Sequence, residues 1–166
     1  MTKLGVIALA LAACGTSDPP PEPGDTFLAF SSSFADFRSW PMFHSDGPAA
    51  GTQPPDVLGP RSQFVNELPA SGLTEWPVGT LVVESRENGT NHILAAVKRG
   101  GGFNGGRNWE WFELLEEPVV IVWRGVGPPD GETYGGDPDG GCNSCHEACG
   151  ASNDFICSPF LQLANF

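Results

Sequence analysis

Cys142-Asn143-Ser144-Cys145-His146 concentrates more reactive chemistry than any other stretch of the chain. Two thiols three positions apart, followed at once by an imidazole, form the C-x-x-C-H site to which c-type haem is attached. The spacing has a chemical reason. Two thioether bonds anchor the porphyrin edge, and the adjacent ring reaches the iron as proximal ligand. Cys142 and Cys145 are then the covalent anchors of haem c, and His146 is its iron ligand. Two other chemistries use the same residues. Cys142, Cys145, Cys149 and Cys157 have the ligand count of a structural zinc site. A redox-active C-x-x-C disulfide is the second, without the strand–helix context of a thioredoxin-like fold before Cys142.

The chain has five cysteines, and an odd number in an exported protein needs explaining. Met1-Thr2-Lys3 is a short positive start, and Leu4 to Ala13 is an apolar run of ten residues. That run is too short to span a bilayer, which takes roughly 20 residues, but it suits a secretory signal. Leu11-Ala12-Ala13-Cys14 resembles the lipobox of bacterial lipoproteins. The resemblance implies removal of residues 1–13 and a diacylglycerol on Cys14. Gly15 after the cysteine implies the outer membrane, periplasm-facing or at the surface. Residues 14–33 read as a Pro-rich tether, extended over Thr16 to Asp25. Residues 34–166 are left as the haem domain. With Cys14 lipidated and Cys142 and Cys145 on haem, Cys149 and Cys157 remain, and an oxidising compartment favours a disulfide between them.

The elements that must position this motif are mostly strands. The 166 residues include 22 Gly and 16 Pro, which suits short strands joined by many turns in one domain. Five Trp and eleven Phe supply a core. Asp36 to Phe43 reads as a short amphipathic helix stopped by Pro41. Ser62 to Asn66 reads as a strand. Gly79 to Ser85 and His92 to Lys98 flank Asn88-Gly89, a strong hairpin signal, and are expected to pair antiparallel. Asn108 to Leu114 alternates polar and apolar like a half-buried strand. Val119 to Trp123 is a β-branched run expected at the sheet centre, and Val126 to Gly141 is loop. Asp137 and Asp139 lie in that loop without the ligand spacing of a calcium site. Net charge is −12 with eight Lys plus Arg, and no basic cluster stands ready for phosphates. Nucleic acid is excluded as a partner.

A C-x-x-C-H site that follows an antiparallel sheet resembles the cytochrome P-460 family, with its cytochrome c′-beta relatives. The matching pieces run in order from Phe37-Arg38-Ser39-Trp40, through Gly59-Pro60, Phe64-Val65-Asn66 and Gly79-Thr80-Leu81-Val82-Val83. They continue with Val97-Lys98-Arg99, Asn108-Trp109-Glu110-Trp111-Phe112, Cys142 to His146 and Asp154-Phe155. The resemblance implies a mainly β fold with short helices, its antiparallel sheet packed on the haem, commonly as a homodimer. It implies iron held by one His, with the other face open to small nitrogen compounds or gases such as hydroxylamine or nitric oxide. An electron-transfer partner follows from the same chemistry.

P-460 members that oxidise hydroxylamine carry a lysine-to-porphyrin cross-link after a Gly-Thr-x-x-Val stretch. Glu84 stands at that position here, and Arg61 replaces the His expected after Gly-Pro. Strand alternation places Thr80, Val82 and Glu84 on one face. In apolar surroundings Glu84 would act as a distal proton acceptor, making the chain a hydroxylamine-oxidising oxidoreductase. Without that role it is a gas binder. Lys98 is read as a strand-end lysine. His44, in a loop, or His92 could supply a sixth iron ligand and make a low-spin electron carrier. Asp154 is implied, by resemblance, to position the haem edge or the proximal loop. Trp109, Trp111, Phe112 and Phe103 are expected in the core, with one or two of them walling the haem.

Overall fold

A computed structural model describes residues 25–46, 60–86, 92–125, 135–136 and 141–166. Its centre is one sheet, mainly antiparallel, in which seven strands lie side by side in chain order. They are β1 (Met42–Ser45), β2 (Arg61–Val65), β3 (Leu81–Arg86), β4 (His92–Lys98), β5 (Trp109–Leu115), β6 (Val120–Arg124) and β7 (Gly135–Gly136). The first six pair antiparallel, and the two-residue β7 pairs with β6 in parallel. The expected strands are all present, and β3 and β4 are adjacent as the hairpin signal requires. The turn at Asn88-Gly89, the leader with Cys14, and Asp137 and Asp139 lie outside the described residues.

Period-two alternation divides the side chains between two faces, and each face has its own apolar cluster. On one face Phe64, Val83, Val97, Phe112 and Ile121 pack against Ala29, Phe34 and Phe37. On the other, Val65, Val82, Ala96, Trp109 and Trp111 pack against Ile156, Leu161 and Leu163 of the C-terminal segment. The 7-residue helix α1 (Gly141–Glu147) joins this second face through Cys142. The helix with Cys142, Cys145 and His146 therefore sits on one side of the sheet, with the N-terminal layer on the other.

Three expectations change. The short amphipathic helix expected from Asp36 up to Pro41 is instead a 3-10 turn at Phe37–Ser39, followed by strand β1. Trp40 precedes Pro41 and is extended, with φ −76° and ψ 162°, as a residue before proline prefers. No room is left for an α-helical turn. His44 consequently lies on an edge strand, not in a loop. The β-branched Val119 to Trp123 run is not the sheet centre, since β4 holds that place and β6 lies next to the short β7. Residues 25–31 supply its burial. Ser31 Oγ accepts a hydrogen bond from the Ile121 N–H at 3.1 Å, and Arg124 reaches the Ala29 carbonyl at 3.0 Å. Residues assigned to the tether thus pack on the sheet from about Thr26, which forms an isolated bridge with Gly100.

Candidate functional site

In α1, Cys142 and Cys145 are three residues apart and His146 is four from Cys142, so one helical face carries all three. That face forms one wall of a cleft that opens to solvent. The sheet supplies the opposite wall, with Val82 from β3, Ala96 from β4 and Trp111 from β5. Trp111 stacks on the His146 ring, with centroids 3.8 Å apart and planes 21° from parallel.

The helix is held in place by an amide cluster. Asn143 Oδ1 accepts from Trp111 Nε1 and from Asn104 Nδ2, both at 2.8 Å. Its own Nδ2 donates to Asn104 Oδ1 at 2.8 Å. Beyond α1, a disulfide joins Cys149 and Cys157, as expected from the cysteine count. This takes two of the four ligands required by the zinc reading. Among the described residues no group of three or more His, Cys, Asp or Glu is placed to hold a metal ion.

His146 Nδ1 lies 2.7 Å from the Phe155 carbonyl oxygen. A carbonyl only accepts, so the proton is on Nδ1 and Nε2 keeps its lone pair. Burial holds His146 below the ordinary imidazole range, while the Phe155 hydrogen bond and the Glu84 charge pull it partly back. The donor chemistry fits a c-type haem. A neutral ring has one nitrogen committed and the other available, beside two cysteines at the attachment spacing.

Glu84 does line this cleft, on the same strand face as Val82. Its surroundings are not the apolar ones expected. Gln63 Nε2 donates to Glu84 Oε2 at 3.1 Å, Arg86 Nε lies 3.2 Å from Oε1, and Arg61 Nε is 3.5 Å from Oε2. Ser158 Oγ then bonds Gln63 Oε1 at 2.5 Å. The cleft therefore has an apolar end at His146 and a charged end built by β2 and β3. Arg61 and Gln63 were missed as wall residues because the Arg61↔Arg86 and Gln63↔Glu84 pairings become visible only with the register.

The remaining candidates lie elsewhere. His44 contacts Ser62 Oγ at 3.3 Å and Asp46 at 3.0 Å, and it does not line the cleft. His92 begins β4 opposite Leu115. Phe112 belongs to the opposite face, and Phe103 lies under the Arg99 guanidinium. Lys98 is not an ordinary strand-end lysine. It is only 2% exposed and ion-paired with Asp154 at 2.6 Å. Among the described residues no helix is long and apolar enough to cross a membrane. Comparison with protein-family models, with curated proteins and with solved structures finds no match.

Proposed function

We propose that the chain is an exported, lipid-anchored, mono-haem c-type cytochrome of the P-460 kind. In this reading His146 would hold the iron, and the haem would supply a site for a small gas or nitrogen compound. One observation carries it: Cys142, Cys145 and His146 converge on a single cleft wall, with the imidazole already oriented by the Phe155 carbonyl. Haem c held there supplies an iron centre able to bind a diatomic gas or pass electrons. The chain's own residues do the rest. Trp111 fixes the ring plane of His146. Val82, Ala96 and Ile156 offer water few partners near it. Arg61, Arg86 and Glu84 set the charge at the far end.

Within this reading, gas binding ranks above hydroxylamine oxidation. Glu84 occupies the position of the cross-linking lysine, and Lys98 is engaged by Asp154. The contacts of His44 with Ser62 and Asp46 argue against its use as a sixth ligand.

The test is to co-produce the full chain with haem c maturation machinery and record ferric and reduced absorption spectra. The expected result is a covalent haem with a five-coordinate high-spin spectrum that changes on adding carbon monoxide or nitric oxide. Cys142→Ala should weaken attachment, and His146→Ala should remove the proximal signature. A strongly red-shifted reduced Soret band would mean a modified porphyrin and favour the oxidase. Sharp low-spin bands would mean a second axial ligand and electron transfer. A chain that takes up no haem overturns the proposal.

A further inference from the structure

Lys98 and Asp154 are 56 residues apart, yet they meet in a buried contact outside the cleft. We infer that Asp154, clamped by Lys98, is a positioning residue that sets the hydrogen bond on His146; this rests on the haem reading above. Asp154 has φ 48° and ψ 40°, and Phe155 has φ 63°. Two successive non-glycine residues in the left-handed region are rare, and a bulky Phe there is an outlier. Such a turn persists only where its surroundings over-determine it.

Asp154 provides that constraint. Its carboxylate accepts from Lys98 Nζ at 2.7 and 2.6 Å and from the Trp76 N–H at 2.9 Å. Lys98 is fixed in turn by the Arg107 carbonyl at 3.4 Å and lies 5.4 Å from the Trp109 ring centroid. The turn so held aims the Phe155 carbonyl at His146 Nδ1. Neither Lys98 nor Asp154 lines the cleft, so the pair acts through the histidine and not on a ligand. A ring that donates firmly through Nδ1 is a more basic metal ligand at its other nitrogen. The clamp therefore sets how strongly His146 holds iron.

The test uses the full chain matured with haem. In Asp154→Asn the iron–histidine stretching frequency of the reduced form should fall and the reduction potential should rise. Lys98→Gln, which leaves the Trp76 bond in place, should shift both the same way by less, and it serves if the first variant does not fold. The control is Glu110→Gln, which breaks a buried pair with Arg124 on the opposite side of the sheet. It should lower stability and leave both signals where they were. Unchanged signals in both clamp variants, or an equal shift in the control, would overturn the inference. If the wild type takes up no haem, the haem reading fails by itself. The clamp is then judged by the slowly exchanging Nδ1–H resonance of His146, which the clamp variants must lose and the control must keep.

Discussion

His146 is a buried imidazole that titrates with difficulty, and this has a measurable sign. Its folded-state pKa lies below the unfolded 6.5, with burial as the main cause. The unfolded chain then binds the proton more readily. Stability is fully present above the unfolded value and is lost as pH falls through 6.5 toward the lowered folded value. The steepest slope for one such group is about 1.4 kcal/mol per pH unit. Asp154 has the opposite sign. Burial raises it despite the Lys98 and Trp76 hydrogen bonds, so its contribution is present below 3.8 and lost as pH rises through the raised value. The His146 component is isolated by comparing haem-free wild type with His146→Asn in denaturant titrations from about pH 7.5 downward. The wild type should lose stability through 6.5 and the variant should not. In the haem-loaded chain the same component should vanish, because a metal-bound ring takes up no second proton. An unchanged slope in the variant would show that His146 is not the group responsible.

At the scale of elements, one amide ties α1 to Trp111 and Asn104. Asn143→Ala leaves Trp111 Nε1 and Asn104 without this partner, and an unsatisfied buried donor costs about 1–3 kcal/mol. Urea denaturation should show a loss of that order, together with weaker quenching of Trp111 by His146. A loss below a few tenths would mean that the helix is held by other contacts. Nothing in Cys142 to His146 marks this asparagine, which fills a variable position of the motif. The contrast shows what the sequence could reveal. Strands β3 to β6 and the C-x-x-C-H motif were legible because a hairpin turn, an alternating stretch, a β-branched run and a five-residue motif are local signals. The charged end of the cleft was not, since register brings Arg61, Gln63 and Glu84 together from two strands. Strand β5 was legible but misread as half-buried. Its polar Glu110 is also buried, because Arg124 and Arg99 meet it on the far face.

The whole molecule carries a strong excess of negative charge. Of eight Lys plus Arg, Arg61, Lys98 and Arg124 are at most 2% exposed, but Lys98 and Arg124 pair with the buried Asp154 and Glu110, so the surface seen by a partner stays about as acidic as the net charge of −12. An electron-transfer partner of the proposed cytochrome would approach that surface, and attraction at a distance favours a basic one. A neutral gas entering the cleft feels almost none of this field. The two activities considered in the proposal would therefore separate by salt. At about 10 mM ionic strength the Debye length is about 30 Å, and at 150 mM it is about 8 Å, so long-range steering is largely screened at the higher value. Electron exchange between the haem-loaded chain and a basic single-haem cytochrome should slow at least tenfold across that range, by stopped-flow absorbance. Carbon monoxide association, followed after flash photolysis, should stay within a factor of two. If electron exchange ignored salt, the acidic surface would have no part in choosing a partner. If carbon monoxide binding followed salt as steeply, the Arg61, Glu84 and Arg86 end of the cleft would be controlling access, and the charged wall would belong to the gate.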